Sequence, residues 1–147
     1  MSGKNPRAID VIVCDDVRVE KTGKLILVGV YLGNIVCREL PTILPTLSFL
    51  TKWKSDDGSL PKGVFRLLDP SGTEVVAVGT EAIPAGDPKP MLLSINRFVP
   101  MRLKVPGRYR WVFAADGARF RTLTTLDVVL ADVRAKKTER LNASAQL

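Results

Sequence analysis

The first third of the chain holds one long, alternating apolar stretch divided by a turn, and this stretch restricts the folds available to the sequence. Residues 8–33 read AIDVIVCDDVRVEKTGKLILVGVYLG, with Lys-Thr-Gly at 21–23 between the two runs. A three-residue loop ending in Gly closes β-hairpins, because Gly adopts a positive φ without steric cost. The stretch therefore predicts a long hairpin in which Val13 lies opposite Tyr31.

That register assigns the odd-numbered side chains of the hairpin to one face, because side chains alternate along a strand. The predicted core face consists of Val13, Val17, Val19, Leu25, Leu27 and Tyr31. Asp15 also falls on this face, opposite Gly29. A buried carboxylate must be hydrogen-bonded or displaced from the core, and a β-bulge at 14–16 would displace it.

We therefore interpret Asp15 and its neighbour Asp16 as structural carboxylates, because buried polar groups are usually satisfied ones. The alternative interpretation is functional: the two aspartates would form an acid pair or bind a cation. Substitution of Asp15 by Asn separates these interpretations, because a structural carboxylate affects stability and a functional one affects binding.

The rest of the chain repeats short alternating runs separated by Gly and Pro. Two turns are clear, Asp-Pro-Ser-Gly at 69–72 and Asp-Gly at 116–117. The proline-containing segment 38–45 is interpreted as a connection. The runs interpreted as further strands are 46–54, 64–68, 73–78, 91–98, 101–105, 108–115 and 118–130.

About eight strands without a long helix predict an all-β protein, an antiparallel β-sandwich. The segments LLDPSGTEVV and VPGRYRWVFAADG resemble hairpins of immunoglobulin-like domains, and we expect that form of sandwich. The predicted organisation is a flexible lead-in at 1–7, a single domain at 8–131, and a tail at 132–147 that is disordered or a short helix.

The composition argues against most enzyme classes. Histidine is absent from the 147 residues, which removes the Ser-His-Asp and Cys-His catalytic arrangements and most transition-metal sites. The two cysteines, Cys14 and Cys37, lack the CxxC spacing of metal and redox motifs, and we expect them to be reduced. We predict a non-enzymatic protein with no catalytic residues, no cofactor and no metal.

The sequence also bears on location. No apolar run reaches the length of a membrane-spanning helix, so we expect no membrane insertion. The first ten residues, MSGKNPRAID, lack the apolar segment of a secretory signal. The expected location is the cytoplasm.

A cluster of arginines is the strongest candidate binding feature. If the Asp-Gly turn at 116–117 sets the register, Phe113 lies opposite Phe120 and the aromatic side chains share the core face. The other face then carries Arg108, Arg110, Arg119 and Arg121. Arginine suits forked contacts with phosphate or carboxylate, so this face is the candidate anion-binding site; the alternative is a solvated strand face.

The net charge of +7 favours an anionic partner in the same way. The aromatic side chains of the predicted hairpin point inward, whereas proteins that read bases or bind single strands stack them on exposed rings. Nucleic acid would therefore be bound only nonspecifically, through phosphate.

The opening hairpin resembles a known family. The segment Val13–Glu20, with its Cys-Asp-Asp-Val-Arg motif, together with Gly23-Lys24 and Leu27–Tyr31, resembles the start of an uncharacterised bacterial family of small β-sandwich proteins, a domain of unknown function. The proline pair in Leu40–Pro45 fits the same family. The resemblance implies a sandwich fold in a bacterial or phage-related protein, and it implies no activity, substrate or catalytic residue.

The leading functional hypothesis is a binding or interaction module that acts through its surface or as a subunit of an assembly. Its partner would be an unidentified protein or a second copy of the chain. Three alternatives remain open at this point: a phage or tail-apparatus structural component, a nonspecific polyanion binder that uses the arginine face, and an enzyme centred on Asp15.

Overall fold

The structure, a computed structural model, describes residues 6–86 and 91–131, and every regular element of secondary structure in these residues is a β-strand. The strands are β1 (Arg7–Val19), β2 (Leu25–Tyr31), β3 (Asn34–Cys37), β4 (Thr42–Leu44), β5 (Leu47–Lys54), β6 (Gly63–Leu68), β7 (Glu74–Thr80), β8 (Leu92–Phe98), β9 (Met101–Leu103), β10 (Gly107–Ala115) and β11 (Arg121–Leu130). The predicted all-β class is confirmed. Most of the predicted lead-in, 1–7, and all of the predicted tail, 132–147, lie outside the described residues.

The structure contains eleven strands where the sequence predicted about eight. The strands missed are β3 and β4, which contain four and three residues. Runs of this length are too short to show alternation. In addition, β3 pairs in parallel with β11, a partner almost a hundred residues away in the chain, so no local turn signals it.

Two large sheets form the body of the protein. One has the strand order β2-β1-β5-β8, the other has the order β3-β11-β10-β6-β7, and β4 and β9 form a small third sheet. Except for β3 beside β11, neighbouring strands are antiparallel. No helix that could cross a membrane occurs in the part of the chain described here.

The two large sheets face each other across an aromatic core. The ring of Phe49 on β5 stacks on Trp111 of β10 with 4.0 Å between centroids, and Phe65 of β6 stacks at 5.2 Å from Trp111. Trp53 and Phe113 extend this contact with their ring centroids 5.1 Å apart. At the start of β10, the Tyr109 hydroxyl donates a hydrogen bond to the Val105 carbonyl at 2.7 Å. The contacts of Phe49 with Trp111 and of Trp53 with Phe113 join the two sheets.

The opening hairpin forms with the predicted register. Val13 pairs with Tyr31, and the turn closes with Gly23 at φ 85°. The Glu20 N–H donates a 2.8 Å hydrogen bond to the Lys24 carbonyl at the end of the two strands. The local signal in the sequence was therefore sufficient for this pairing.

The predicted core face of the hairpin is wrong beyond Asp15. Val13 and Tyr31 pack in the main core, as expected. Val19, however, is 65% exposed. The remaining members pack in a separate cluster on the other side of the sheet, with Cys14 and Leu50; they are Val17, Leu25 and Leu27.

The division falls where Asp15 faces Gly29. The pairing is unshifted on either side, so Asp15 is hydrogen-bonded to Tyr31 and is not displaced by a β-bulge, but Gly29 has a φ of 66° that interrupts the extended backbone. Past this point the hairpin bends across β5: the Ser48 hydroxyl donates to the Asp15 carbonyl at 3.4 Å. Arg97 of β8 then donates to Asp16 at 2.8 Å. We call residues 16–28 the hairpin arm.

Gly29→Ala is expected to destabilise the protein more than Gly72→Ala. Both glycines have positive φ, but a Cβ at Gly29 would collide with the Asp15 carboxylate, whereas a Cβ at Gly72 meets no atom within 4 Å. The backbone strain alone is worth about 1–2 kcal/mol. We expect Gly72→Ala to lower the free energy of unfolding by about that amount, and Gly29→Ala to lower it by at least about 1 kcal/mol more.

Urea unfolding of the two variants measures this difference. Equal losses would show that the contact between Gly29 and Asp15 does not constrain the hairpin.

Candidate functional site

The turn at 116–117 forms as predicted, but the pairing that was expected to follow from it does not. The Ala118 N–H donates to the Ala115 carbonyl at 2.9 Å, which closes the turn. Pairing then resumes one residue later than predicted, with Arg121 opposite Phe113, and the register shifts again between Trp111 and Val112.

The predicted pairing of Phe113 with Phe120 is therefore wrong. Phe120 precedes β11, is 41% exposed, and lies beneath the Arg66 guanidinium at 4.4 Å from its ring centroid. A turn fixes the register only while the strands remain regular, and nothing in the sequence marks the extra residues.

The four arginines do not share one face. Arg108 and Arg110 alternate with two buried residues, Tyr109 and Trp111, and so lie on the outer face of the five-stranded sheet. Arg121 lies opposite the core residue Phe113. Directly paired residues share a face, so Arg121 is on the inner side of the sheet, at its end. The single predicted face therefore does not form: Arg108 and Arg110 lie together on the outer face, and Arg119 lies with Arg121 at the end of the sheet. Whether these arginines bind an anion stays a prediction.

Arg119 and Arg121 line a cleft of about 240 Å³ at this end of the protein. The other lining residues are apolar; they are Pro6, Pro61, Phe113, Ala115 and Ala118. Arg121 donates a long, 3.4 Å hydrogen bond to the Pro6 carbonyl. We call this the arginine cleft. By contrast, Arg108 on the outer face is paired with Asp127, with 3.1 Å between Nε and Oδ1.

A second cleft, of about 370 Å³, lies beside the turn at 69–73 and β9. Its cationic residues are Arg102 and Lys104, and its acidic residues are Asp69 and Glu74. Hydrogen bonds from Ser71 and other groups of the turn lower the pKa of Asp69. The two positive and two negative charges of its described lining balance.

Asp15 is hydrogen-bonded to a half-buried phenol. The Tyr31 hydroxyl donates a 2.7 Å hydrogen bond to Asp15 Oδ1. Burial, and then this bond to the carboxylate, raise the pKa of Tyr31 above the ordinary value for tyrosine. A phenol held in its neutral form does not act as a general base at neutral pH. Neither of the two clefts is lined by Asp15.

Asp16 forms a link between strands. It accepts hydrogen bonds from Arg97 at 2.8 Å and from the Val17 N–H at 3.0 Å. The bond with Arg97 holds the pKa of Asp16 below its usual value. The structural role of Asp15 and Asp16 stays a prediction, and these contacts favour it over an acid pair.

Metal and thiol chemistry have little support in the described residues. Within 6–86 and 91–131, no three His, Cys, Asp or Glu side chains are grouped so that they could hold a metal ion. Cys14 and Cys37 are both free and buried. Burial raises the pKa of each thiol, which keeps it protonated and weakly nucleophilic.

The outer edge of β2 is a feature that the analysis of the sequence missed. In the part of the chain that the structure describes, β2 pairs only with β1 and ends the four-stranded sheet. Its sequence, LILVGVY, contains no charged residue. The side chains of Ile26, Val28 and Val30 are 43%, 42% and 46% exposed. The signal in the sequence is the uncharged run itself.

Asp15→Asn is expected to lower the pKa of Tyr31. The substitution removes the negative charge that the phenolate would face, while the burial of the ring is kept. Asp16→Asn is the matched control, because Asp16 does not contribute to the shift. Tyrosine Cζ signals in ¹³C NMR, followed against pH, resolve Tyr31 from Tyr109, the other tyrosine of the chain.

The same shift predicts how stability changes with pH. Because the pKa of Tyr31 is raised in the folded state, its contribution is complete below the ordinary tyrosine pKa of about 10 and is lost as the pH rises beyond it. Tyr31→Phe should flatten this alkaline decline, and should cost about 1–3 kcal/mol at neutral pH through the lost bond to Asp15. An unchanged alkaline profile would contradict the prediction.

Two comparisons with known proteins bear on the identity of the chain. None of the curated proteins matches the chain. The bacterial origin implied by the opening hairpin stays a prediction. The model of a family of unknown function (DUF6941) matches residues 10–129, which include the body of both large sheets. Because this match spans well over half of its length, the chain belongs to that family of unknown function.

Proposed function

We propose that the protein is a non-enzymatic interaction module that pairs with a second copy of itself through the outer edge of β2. The observation that carries this proposal is the uncharged sequence of β2 along that edge, in which Ile26, Val28 and Val30 are exposed. The edge of a sheet presents unpaired backbone N–H and C=O groups, for which another strand is the natural partner.

Edge strands of proteins that avoid such pairing are usually short, charged or bulged. In the described residues, the other edges of the two large sheets have these features. Strand β3 contains four residues. Strand β7 carries Glu74 and is irregular against β6, where its register shifts. Strand β8 carries Arg97, which is paired with Asp16 of the hairpin arm. Strand β2 is the longest of these edges without a charge, and its one irregularity is Gly29, which has a positive φ near the end of the strand.

A second copy suits β2 because the strand is complementary to itself. If two copies pair antiparallel about Val28, Ile26 of one lies opposite Val30 of the other. Lys24, at the start of the strand, then lies opposite Leu32, so no like charges meet. Cross-strand pairs of β-branched side chains stabilise such a ladder by about 0.2–1 kcal/mol each.

An immunoglobulin-like form of the fold supports this proposal, because sandwiches of that class commonly act through their edges and loops. Three observations favour that form. The order β3-β11-β10-β6-β7 has a parallel strand at one edge, beside the last strand of the chain. The hydroxyl of Tyr109 bonds to the backbone four residues upstream, as in the tyrosine corner of these domains. Strands β1, β5 and β8 are neighbours in the opposite sheet.

The other functional hypotheses have less support. A polyanion binder needs a continuous basic face, whereas the register of β10 and β11 separates Arg108 and Arg110 from Arg119 and Arg121. An enzyme centred on Asp15 needs this carboxylate in a cleft, whereas Asp15 is hydrogen-bonded to Tyr31 and lines neither of the two clefts described above.

Val28→Lys is expected to convert a dimer of the full chain into a monomer, because it places two like charges opposite each other at the centre of the pair. The control is Val36→Lys, which makes the same substitution at a residue that is 52% exposed and lies on β3, in the other large sheet. Size-exclusion chromatography with light scattering gives the mass of each form.

A monomeric wild-type protein at concentrations of about 100 μM would reject pairing through β2. A closed ring of many copies would instead support the structural component of a phage or tail assembly. Circular dichroism verifies that both variants keep the sheet structure.

A further inference from the structure

We propose that the arginine cleft binds a small oxyanion, a carboxylate or phosphate group, that is attached to a compact apolar body such as one ring. This goes beyond self-association through β2 and does not depend on it. The site would take one small molecule, in contrast to the nonspecific polyanion binding that the sequence suggested.

The charges of the cleft are the first argument. Among the described residues, its lining includes Arg119 and Arg121 and no carboxylate. Four other described arginines form ion pairs: Arg18 and Arg97 with Asp16, Arg66 with Glu74, and Arg108 with Asp127. The two guanidinium groups of the cleft form no such pair within the described residues, and they keep donors that an oxyanion can accept in a forked geometry.

The apolar floor is the second argument. Phe113, which is buried, forms part of the cleft together with Pro61 and Ala115. An apolar wall removes water from one side of the arginines, and a charge-assisted hydrogen bond is stronger where water is excluded. The same wall would contact the apolar body of the ligand. The volume of about 240 Å³ is below the usual range of about 300–1,000 Å³ for drug-sized ligands, so it fits one ring.

The third argument is that the cleft is already formed. Pro61 lies between β5 and β6, whereas Ala118 lies in the turn before β11. A backbone hydrogen bond from the Asp116 N–H to the Lys62 carbonyl, at 3.0 Å, joins these two segments. The walls are therefore held together without a ligand, and binding would not have to order them. Loops at the end of a rigid sheet scaffold are frequent positions for binding sites.

The test is a titration of the ¹⁵N-labelled full chain followed by NMR. The probes are phenyl phosphate, benzoate, inorganic phosphate and the neutral benzamide. We expect saturable movement of the signals of residues 113–121 with phenyl phosphate, benzoate or both, and the tighter of the two identifies the preferred oxyanion. Inorganic phosphate should bind more weakly because it lacks the apolar body, and benzamide should not saturate because it lacks charge.

The double variant Arg119→Gln/Arg121→Gln should lower the affinity for the tighter probe by at least about tenfold, because it loses two charge-assisted hydrogen bonds. The matched control, Arg108→Gln/Arg110→Gln, removes the same charge from the same hairpin on its outer face. It should change the affinity by less than about twofold, because exposed distant charges are screened.

Ala118→Glu is a second, independent variant, because it adds a carboxylate to the wall of the cleft and leaves both arginines in place. It should abolish binding of the anionic probes. The proposal is overturned if no probe saturates, if benzamide binds as well as benzoate, or if the two arginine double variants lose affinity equally.

Discussion

The stacking of three aromatic rings across the two large sheets is the contact on which the rest of the structure depends. Trp111 lies between Phe49 and Phe65, nearly parallel to both, with interplanar angles of 9° and 13°. Its indole N–H also donates to Thr51 at 3.4 Å. In immunoglobulin domains a disulfide and a tryptophan occupy the centre of the sandwich. In the arrangement we propose, a stack of rings takes that place. The two sheets are therefore held together without a disulfide, and both cysteines are free.

The hairpin arm follows from a second constraint, the half-buried carboxylate of Asp15 at the edge of this core. Asp15 is satisfied by the Tyr31 hydroxyl, and the contact needs the space above Gly29, where any larger residue would collide with it. The bend at this point carries the arm over β5, which buries Ser48 and Cys14 on the outer side of the sheet. One edge of the four-stranded sheet is thereby tied to the arm through Arg97, whereas the other edge, β2, stays open.

Local signals in the sequence predicted most of the strands but not how they are arranged. The hairpin of β1 and β2 was predicted with its register because a glycine turn and a regular alternation agree. The parallel strand β3 was missed because its partner is distant in the chain. The arginine face was predicted wrongly because two shifts in pairing, after the turn at 116–117 and at Trp111, have no residue signature. The arginine cleft was beyond prediction, because Pro61 and Arg121 meet only through the tertiary fold.

The distribution of charge, more than its total, limits what the surface can bind. The net charge of +7 suggests a polyanion partner, yet several arginines are neutralised by nearby carboxylates, and Arg110 lies apart from Arg119 and Arg121. Binding to a polyanion grows with the number of phosphates that are contacted at once, which separated pairs of arginine cannot provide. Two guanidinium groups above an apolar floor have the opposite property, because they favour one compact anion over an extended one. The local geometry of the cleft is therefore better evidence for a ligand than the excess of basic residues.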